Sequence, residues 1–389
     1  MEKIEEAIED IKNGKIVILV DDEDRENEGD FVVAAEYATP EAINFMATHG
    51  RGLICLAFTK EYADRLALQP MKPENNNVPQ HTAFTIPIDA VKDVTTGISA
   101  YDRSTTIYQA ISDESKPEDF IKPGHVFPLI ARKGGVLVRA GHTEGSVDIA
   151  RIAGLKPASV ICEIMKDDGD MARLGDLESI AKKHNIKIAT IADLISYRLG
   201  KEKFVNRVAE AELPTEFGTF KSIVYESEIN PVHHVALVKG EIDPAKEILV
   251  RVHSESLISD VFNTKNCDSR AKLIKSMEVI NDEGSGVILY IRSESHGKGL
   301  VNKIKEYSIK GKISDPMDGN DDLQYKSELR NYGVGAQILR DLNVRKIRLL
   351  SNNNKKVKGL EGFGLKIVEK VQLNISDDLP NFVELKSIS

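Results

Sequence analysis

Residues 16–35 read IVILVDDEDRENEGDFVVAA, two apolar runs closed around ten polar positions. Ile16–Val20 and Phe31–Ala35 are short, β-branched and bounded by polar residues, so each predicts a strand. Between them, Asp21 to Asp30 carry seven carboxylates together with Arg25, Asn27 and Gly29. An anionic loop between buried strands is costly, because like charges repel and desolvation penalises each carboxylate. A hard divalent cation would offset that cost, and oxygen-rich donors suit magnesium or manganese. A solvated acidic turn is the plainer alternative. An EF-hand is excluded by spacing: a loop from Asp22 puts Asn27 at the turn glycine, and one from Asp24 puts Ala35 at the bidentate acid.

The strands need a core around them, and 389 residues suffice for two domains. Hydrophobic content of 41% and charged content of 29% are those of ordinary globular chains. A formal charge of −9 argues against a protein built to grip nucleic acid. Cys55, Cys162 and Cys267 are odd in number and widely spaced, which fits a reducing compartment rather than a disulfide framework. The opening MEKIEEAIEDIKNG lacks a signal-peptide core, and no apolar run approaches a membrane span. These features predict a cytoplasmic protein with no membrane or nucleic-acid partner.

Outward from the acidic loop, Ile4, Ala7, Ile8 and Ile11 predict a helix stopped at Asn13-Gly14. Thr39-Pro40 opens another. Strands are predicted at 53–58, 126–131, 136–139, 159–165 and 186–191, with helices at 144–153, 176–184 and 192–199. The loop 70–80 and the charged run KEKFVNRVAEAEL, at a boundary near 200–213, break the pattern. Beyond lie strands at 234–239, 248–253, 287–292 and 346–350, and a helix at 332–342. This alternation predicts an α+β or α/β chain of two layered domains, 1–203 and 208–389.

Three segments of the first half could meet the acidic loop. Arg139-Ala140-Gly141-His142-Thr143-Glu144 runs from a predicted strand into a helix, and its amides with Arg139 and Thr143 suit a phosphate. His142 could ligate a metal, although a lone histidine is more often structural. Asp102-Arg103-Ser104-Thr105-Thr106 reads as a hydroxyl-rich loop, a weak phosphate signal. Glu163 interrupts the apolar strand Val160 to Met165, where a buried acid must be paired or protonated. Together these residues suggest metal-assisted proton abstraction beside the carbonyl of a sugar phosphate.

DDEDRENEGD, TTGISAYDRSTTI (95–107), PGHVFPL (123–129), RAGHTE and ICE, in that order, closely resemble 3,4-dihydroxy-2-butanone 4-phosphate synthase of riboflavin biosynthesis. The likeness covers about residues 1 to 200. It implies an α+β fold, a homodimer with active sites at its interface, and a lyase. The reaction implied is conversion of D-ribulose 5-phosphate to L-3,4-dihydroxy-2-butanone 4-phosphate and formate with magnesium or manganese. By the same resemblance Glu26 and His142 are metal ligands. Arg25, Asp30, Thr105, Arg139, Ala140, Gly141 and Thr143 fall at substrate positions, and His125, Glu163 and Cys55 at catalytic ones. From the sequence alone Cys55 reads as a core residue.

From about Val208 to Val371 the chain resembles GTP cyclohydrolase II, a mixed α/β domain, with departures at the chemistry. Where that family holds zinc with three cysteines, this sequence has Ser256, Cys267 and Ser269. A serine hydroxyl does not ionise as a thiolate does, so zinc is not expected here. His296, Pro316, Lys272 and Glu328 replace further family residues, while Arg330 remains. The expectation is a degenerate domain that supports the synthase, or binds a nucleotide through Arg251 to Glu255, Arg330 and Lys355. A bifunctional chain that also opens GTP is the alternative.

Overall fold

The computed structural model describes residues 2–22, 25–71, 82–227, 232–264, 268–292, 304, 333–352 and 364–373. The chain divides into two compact units, 1–201 and 202–389. Each is built on its own seven-stranded sheet with helices, a two-domain α+β architecture.

The first unit contains α1 (Glu2–Lys12), β1 (Val17–Val20), β2 (Gly29–Ala34), α2 (Pro40–His49), β3 (Cys55–Phe58), α3 (Lys60–Arg65) and β4 (Ile88–Ala90). It continues with α4 (Ala100–Ile111), β5 (Phe120–Ile130), α5 (His142–Ile152), β6 (Ala158–Glu163), α6 (Leu174–His184), β7 (Ile188–Thr190) and α7 (Ile191–Lys201). The strand order is β4-β5-β3-β6-β2-β1-β7. Alternate residues feed two cores. Ile18, Val20, Phe31 and Val33 pack with Ile43, Met46, Ile107 and Leu177 of α2, α4 and α6. Val17, Leu19 and Val32 pack with Ile4, Ile11, Ile149 and Leu194 of α1, α5 and α7. Burial on both faces explains why β1 and β2 read as continuous apolar runs rather than alternating ones.

The second unit orders its sheet β14-β13-β11-β12-β10-β9-β8. Its strands are β8 (Val205–Thr215), β9 (Gly218–Ser227), β10 (His233–Lys239), β11 (Glu247–Ser254), β12 (Gly286–Ile291), β13 (Lys346–Leu350) and β14 (Lys366–Val371). Helix α8 (Ser269–Glu283) and a helix over 333–341 accompany them.

Two expectations are corrected and one gap is filled. Residues 136–139 form no strand: Gly134 and Gly135 adopt positive φ, the chain makes a 3-10 turn at Gly135–Leu137, and Val136 N donates to buried Asp148 (2.8 Å). Asp102 to Thr106 lie on helix α4, not in a loop. Their polar groups are absorbed by tertiary bonds, Ser104 donating to Ala38 O and Thr106 Oγ1 accepting Ala90 N–H. The charged run at the boundary, read without an element of its own, leads into strand β8 over Val205–Thr215. The strand pairs with β9 alone at the sheet edge, so its side chains are almost all exposed and its sequence stays polar. The loop predicted at 70–80 lies largely outside the described residues, and no described helix is long and apolar enough to cross a membrane.

Candidate functional site

Strand β1 ends in the acidic loop, and buried Asp21 organises it. Its Oδ2 accepts from Arg25 Nη1 (2.7 Å) and Glu26 N (3.2 Å), and its Oδ1 from Glu28 N (2.9 Å). Arg25 also bonds Glu26 Oε2 at 2.6 Å. Helix α5 delivers His142 to the same place, with Nδ1 3.7 Å from Glu26 Oε2 and 3.9 Å from Asp30 Oδ1. Asp21, Glu26 and His142 each offer a donor atom, and the three atoms lie within 4.8 Å of one another.

The charges here are unbalanced. Burial, reinforced by Glu163, Glu26 and Glu28, pushes Asp30 up to about 7, against the pull of His142. Burial opposes protonation of His142, yet Asp30, the Glu26 bond and Asp21 lift it to about 9. Glu28 is raised by burial and by Glu26. Glu26 alone is lowered, because His142 and Arg25 outweigh its desolvation. Asp30 Oδ1 and His142 Nε2 are buried without hydrogen-bond partners among the described residues. A carboxylate-rich pocket around an imidazole fits a hard divalent cation, which would displace the imidazole proton and supply positive charge in its place.

Beside it lies a cluster of hydrogen-bond donors that could take an anion. Gly141 caps α5 without a side-chain bond, so the first amides of the helix are open to an acceptor. A Cβ at Gly141 would lie 2.4 Å from Arg139 Nη1 and 3.2 Å from Arg25 Nη2, so two guanidinium groups converge over this glycine. Buried Glu144 holds Arg139 at 2.5 Å, and Thr82 accepts its other nitrogen at 2.9 Å. Thr143 is buried on the same turn, while Ala140 is half-buried.

Strand pairing sets the remaining residues. Asp30 and Glu163 are register partners across β2 and β6. Glu163 is half-buried and its Oε2 accepts Leu53 N–H at 2.9 Å, so among the described residues an amide rather than an ion pair holds it. Cys55 on β3 is buried in the core beneath α5 and α7, and burial followed by Glu163 and Asp30 pushes its thiol well above the ordinary range. His125 stands apart, on β5, three strands from Asp30 (β5-β3-β6-β2), or roughly 14 Å at about 4.8 Å per spacing. Asp89 of β4 fixes it twice, accepting His125 N–H at 2.9 Å and meeting Nδ1 at 2.7 Å. Thr105 is half-buried on α4. Sequence reasoning missed Asp21, Asp89 and Glu144 as individual residues. Asp89 carried the same signal as Glu163, an acid inside an apolar run.

In the second unit, Ser269 Oγ donates to Asp260 Oδ1 (2.9 Å) and lies 3.3 Å from His253 Nε2. Ser256 N and Tyr290 OH donate to Asp260 Oδ2 at 2.9 and 2.8 Å. Burial would raise Asp260, but the His253 bond and charge with these donors lower it to about 2. Lys272 pairs with Asp268 at 2.8 Å, and buried Arg251 donates to Leu350 O. Cys267, His296, Pro316, Glu328, Arg330 and Lys355 lie outside the described residues.

A family model described as 3,4-dihydroxy-2-butanone 4-phosphate synthase matches residues 5–197, and one described as GTP cyclohydrolase II matches 206–372. The chain is 56% identical to riboflavin biosynthesis protein RibBA of Aquifex aeolicus, covering 98% of this chain and 95% of that one. RibBA of Bacillus cereus is 52% identical, covering 96% and 94%. Among solved structures, RibBX of A. baumannii, titled a two-domain 3,4-dihydroxy-2-butanone 4-phosphate synthase, superposes with a TM-score of 0.75 at 42% identity, covering 94% of this chain and 98% of that one. Fold and site therefore define a carbon–carbon lyase acting on a sugar phosphate. The chain belongs to the riboflavin biosynthesis family that joins a 3,4-dihydroxy-2-butanone 4-phosphate synthase domain to a GTP cyclohydrolase II domain. Its synthase domain converts D-ribulose 5-phosphate to L-3,4-dihydroxy-2-butanone 4-phosphate and formate. These matches give the second domain as GTP cyclohydrolase II without any mark of degeneracy, so the expectation of a disabled domain draws no support from them.

Proposed function

We propose that the lyase works on magnesium or manganese held by Glu26, His142 and Asp21, with the substrate phosphate at Arg25, Arg139 and the first turn of α5. The observation that carries this is the meeting of three donor atoms within 4.8 Å beside two partnerless buried polar atoms. A cation bound there would polarise the oxygens of the sugar. The protein's own part is to hold and move protons. Asp30, buried opposite Glu163 and facing His142, is placed to exchange a proton at its Oδ1. Glu163, its register partner, supplies a second carboxyl fixed by Leu53 N–H. Two carboxyls in different surroundings, one buried and one half-buried on an amide, suit a sequence of enolisation, dehydration, skeletal rearrangement and hydrolytic loss of one carbon. Cys55 contributes a protonated thiol rather than a thiolate. Ala140, Gly141 and Thr143 line the anion site, and Thr105 is assigned to substrate binding by the family resemblance alone. Formate release from ribulose 5-phosphate with added magnesium tests the reading, together with Mn²⁺ binding, and loss of neither in Glu26→Gln would overturn it.

His125 lies too far across the sheet to serve the cluster in its own chain. In this reading it serves a second copy in a homodimer. Support comes from exposed apolar side chains on neighbouring elements: Ile86 and Val91 flank β4, Ile98 and Tyr101 lie at the start of α4, and Ile121 is on β5. Asp89 leaves His125 Nε2 as the nitrogen free to exchange a proton.

The second domain, in the same reading, does not hydrolyse GTP. Ser256 and Ser269 stand where thiolates are required, and the Ser269 hydroxyl is turned to Asp260 and His253. The 42% identical RibBX, which matches both domains, bears the name of the synthase alone. A bifunctional chain is the second reading, favoured by the family match over 206–372. Zinc content and pyrophosphate release from GTP decide between them, and titration with GTP tests residual nucleotide binding.

A further inference from the structure

We infer that Arg173 is a positioning residue for the cation loop, fastening the backbone of Glu26 and Asn27 so that the Glu26 carboxylate faces His142. The inference rests on the reading of Asp21, Glu26 and His142 as the cation site. Arg173 Nη1 donates to Glu26 O at 2.8 Å and also to Asn27 O, while Glu28 Oε1 lies 4.0 Å away. These are charge-assisted bonds from one guanidinium nitrogen to two successive carbonyls of the loop.

The loop has need of an outside hold. Asn27 sits at φ 55, in the left-handed region that even asparagine enters at some cost. The like-charged side chains of Glu26 and Glu28 flank it, and Arg173 Nη1 stands 4.0 Å from Glu28 Oε1. Arg173 brings a positive charge to the backbone side of this loop and leaves the Glu26 side chain to the pocket.

The mount of Arg173 is rigid. It precedes α6, and its own N–H is accepted by Asp176 Oδ2 at 3.0 Å. Ala172 N donates to Ile164 O (2.9 Å), and Ile164 N donates to Gly29 O (3.1 Å). Backbone bonds therefore run from the loop's end, through the residue after Glu163, to the residue before Arg173. Between them the chain doubles back tightly, with Lys166 N bonded to Asp170 O at 2.8 Å. One turn further, Leu177 of α6 covers Gly29, where a Cβ would meet Leu177 Cδ1 at 2.5 Å. The start of α6 thus grips the loop at its carbonyls and at its exit glycine. Glu163 and Arg173 also share one short excursion of the chain, so the carboxyl opposite Asp30 and the clamp on Glu26 are held in common register.

The test is Mn²⁺ binding to the full chain without substrate, read as loss of the free-ion paramagnetic resonance signal. Arg173→Ala is expected to raise the dissociation constant about tenfold, the scale of an outer-sphere partner of a metal ligand. Arg173→Lys, which keeps the charge on a shorter side chain, is expected to fall between wild type and Arg173→Ala. Because the side chain is 49% exposed, millimolar guanidinium should restore part of the affinity of Arg173→Ala. A merely structural role would give no such rescue. Mn²⁺ affinities within twofold of wild type in both variants would overturn the assignment. If Arg173→Ala fails to fold, Arg173→Gln, which removes the charge and keeps a polar side chain, takes its place, and an affinity equal to wild type overturns the assignment. A wild-type chain that binds no Mn²⁺ would instead remove the cation site itself, a distinguishable result.

Discussion

His142 Nδ1 lies 3.7 Å from Glu26 Oε2, although the two residues come from opposite ends of the first unit. Helix α5 begins at His142 and packs on the sheet in which β1 and β2 are neighbours, so the helix start is carried to the rim of the loop that joins them. Removing either side chain should therefore remove the same property. Glu26→Gln and His142→Ala are each expected to lower formate release at least about 10²-fold, with weakened Mn²⁺ binding and an unchanged thermal transition.

Asp89 should act only through His125. Asp89→Asn keeps the shape but alters the hydrogen bond that selects the imidazole tautomer. The expected outcome is a kcat reduced about 10²-fold with KM nearly unchanged. A rise in KM at constant kcat would instead place Asp89 in substrate binding.

If His125 serves a second copy, inactive chains should complement one another. Co-refolding Glu26→Gln with His125→Ala produces mixed dimers in which one site holds both wild-type residues. Recovery of formate release in the mixture, and none in either variant alone, is the expected result. Absence of recovery, with a dimer seen by sedimentation, would assign His125 to its own chain.

Gly52 leaves room for Glu163. A Cβ there would stand 2.5 Å from the Glu163 carbonyl oxygen and 2.6 Å from its Oε2. Gly52→Ala must shift Glu163 off Leu53 N–H, so it should lose most activity and destabilise the first unit by about 1–3 kcal/mol. Urea titration of the variant checks the second figure.

His234 gives the second unit a pH dependence. Burial lowers it to about 4, with Arg292 and His233 adding to the effect, and its Nδ1 accepts Arg292 N–H at 3.2 Å. The folded value lies below the ordinary 6.5, so the unfolded chain binds the extra proton first as pH falls. Stability is thus complete above that ordinary value and is lost as pH drops towards the folded one, by at most about 1.4 kcal/mol per pH unit. His234→Gln should flatten this limb in hydrogen exchange of β10 and β12.

Several elements were legible because their side chains report local surroundings. Strands β1 and β2 carry unbroken apolar runs, and α1 shows its buried stripe at Ile4, Ala7, Ile8 and Ile11. Others were not. Helix α4 reads as a loop because Asp102, Ser104 and Thr106 are polar, yet each is buried against a partner remote from its own turn. Strand β8 goes unread within the charged boundary run because an edge strand in an exposed hairpin has no reason to be apolar. Asp89 and Glu163 carry the same signal, but only pairing to His125 and Asp30 tells what each acid faces.

The amino-acid order by itself determined the motifs, their order and the need for a positive charge inside the acidic loop, because that need follows from crowding carboxylates between apolar strands. Only the tertiary structure decided which groups answer it. The antiparallel pairing of β2 with β6 sets Glu163 opposite Asp30, α5 carries His142 to Glu26, and the same sheet leaves His125 three strands away. Such neighbours arise from strand register and helix docking, which depend on packing across the whole unit and leave no mark in any one segment.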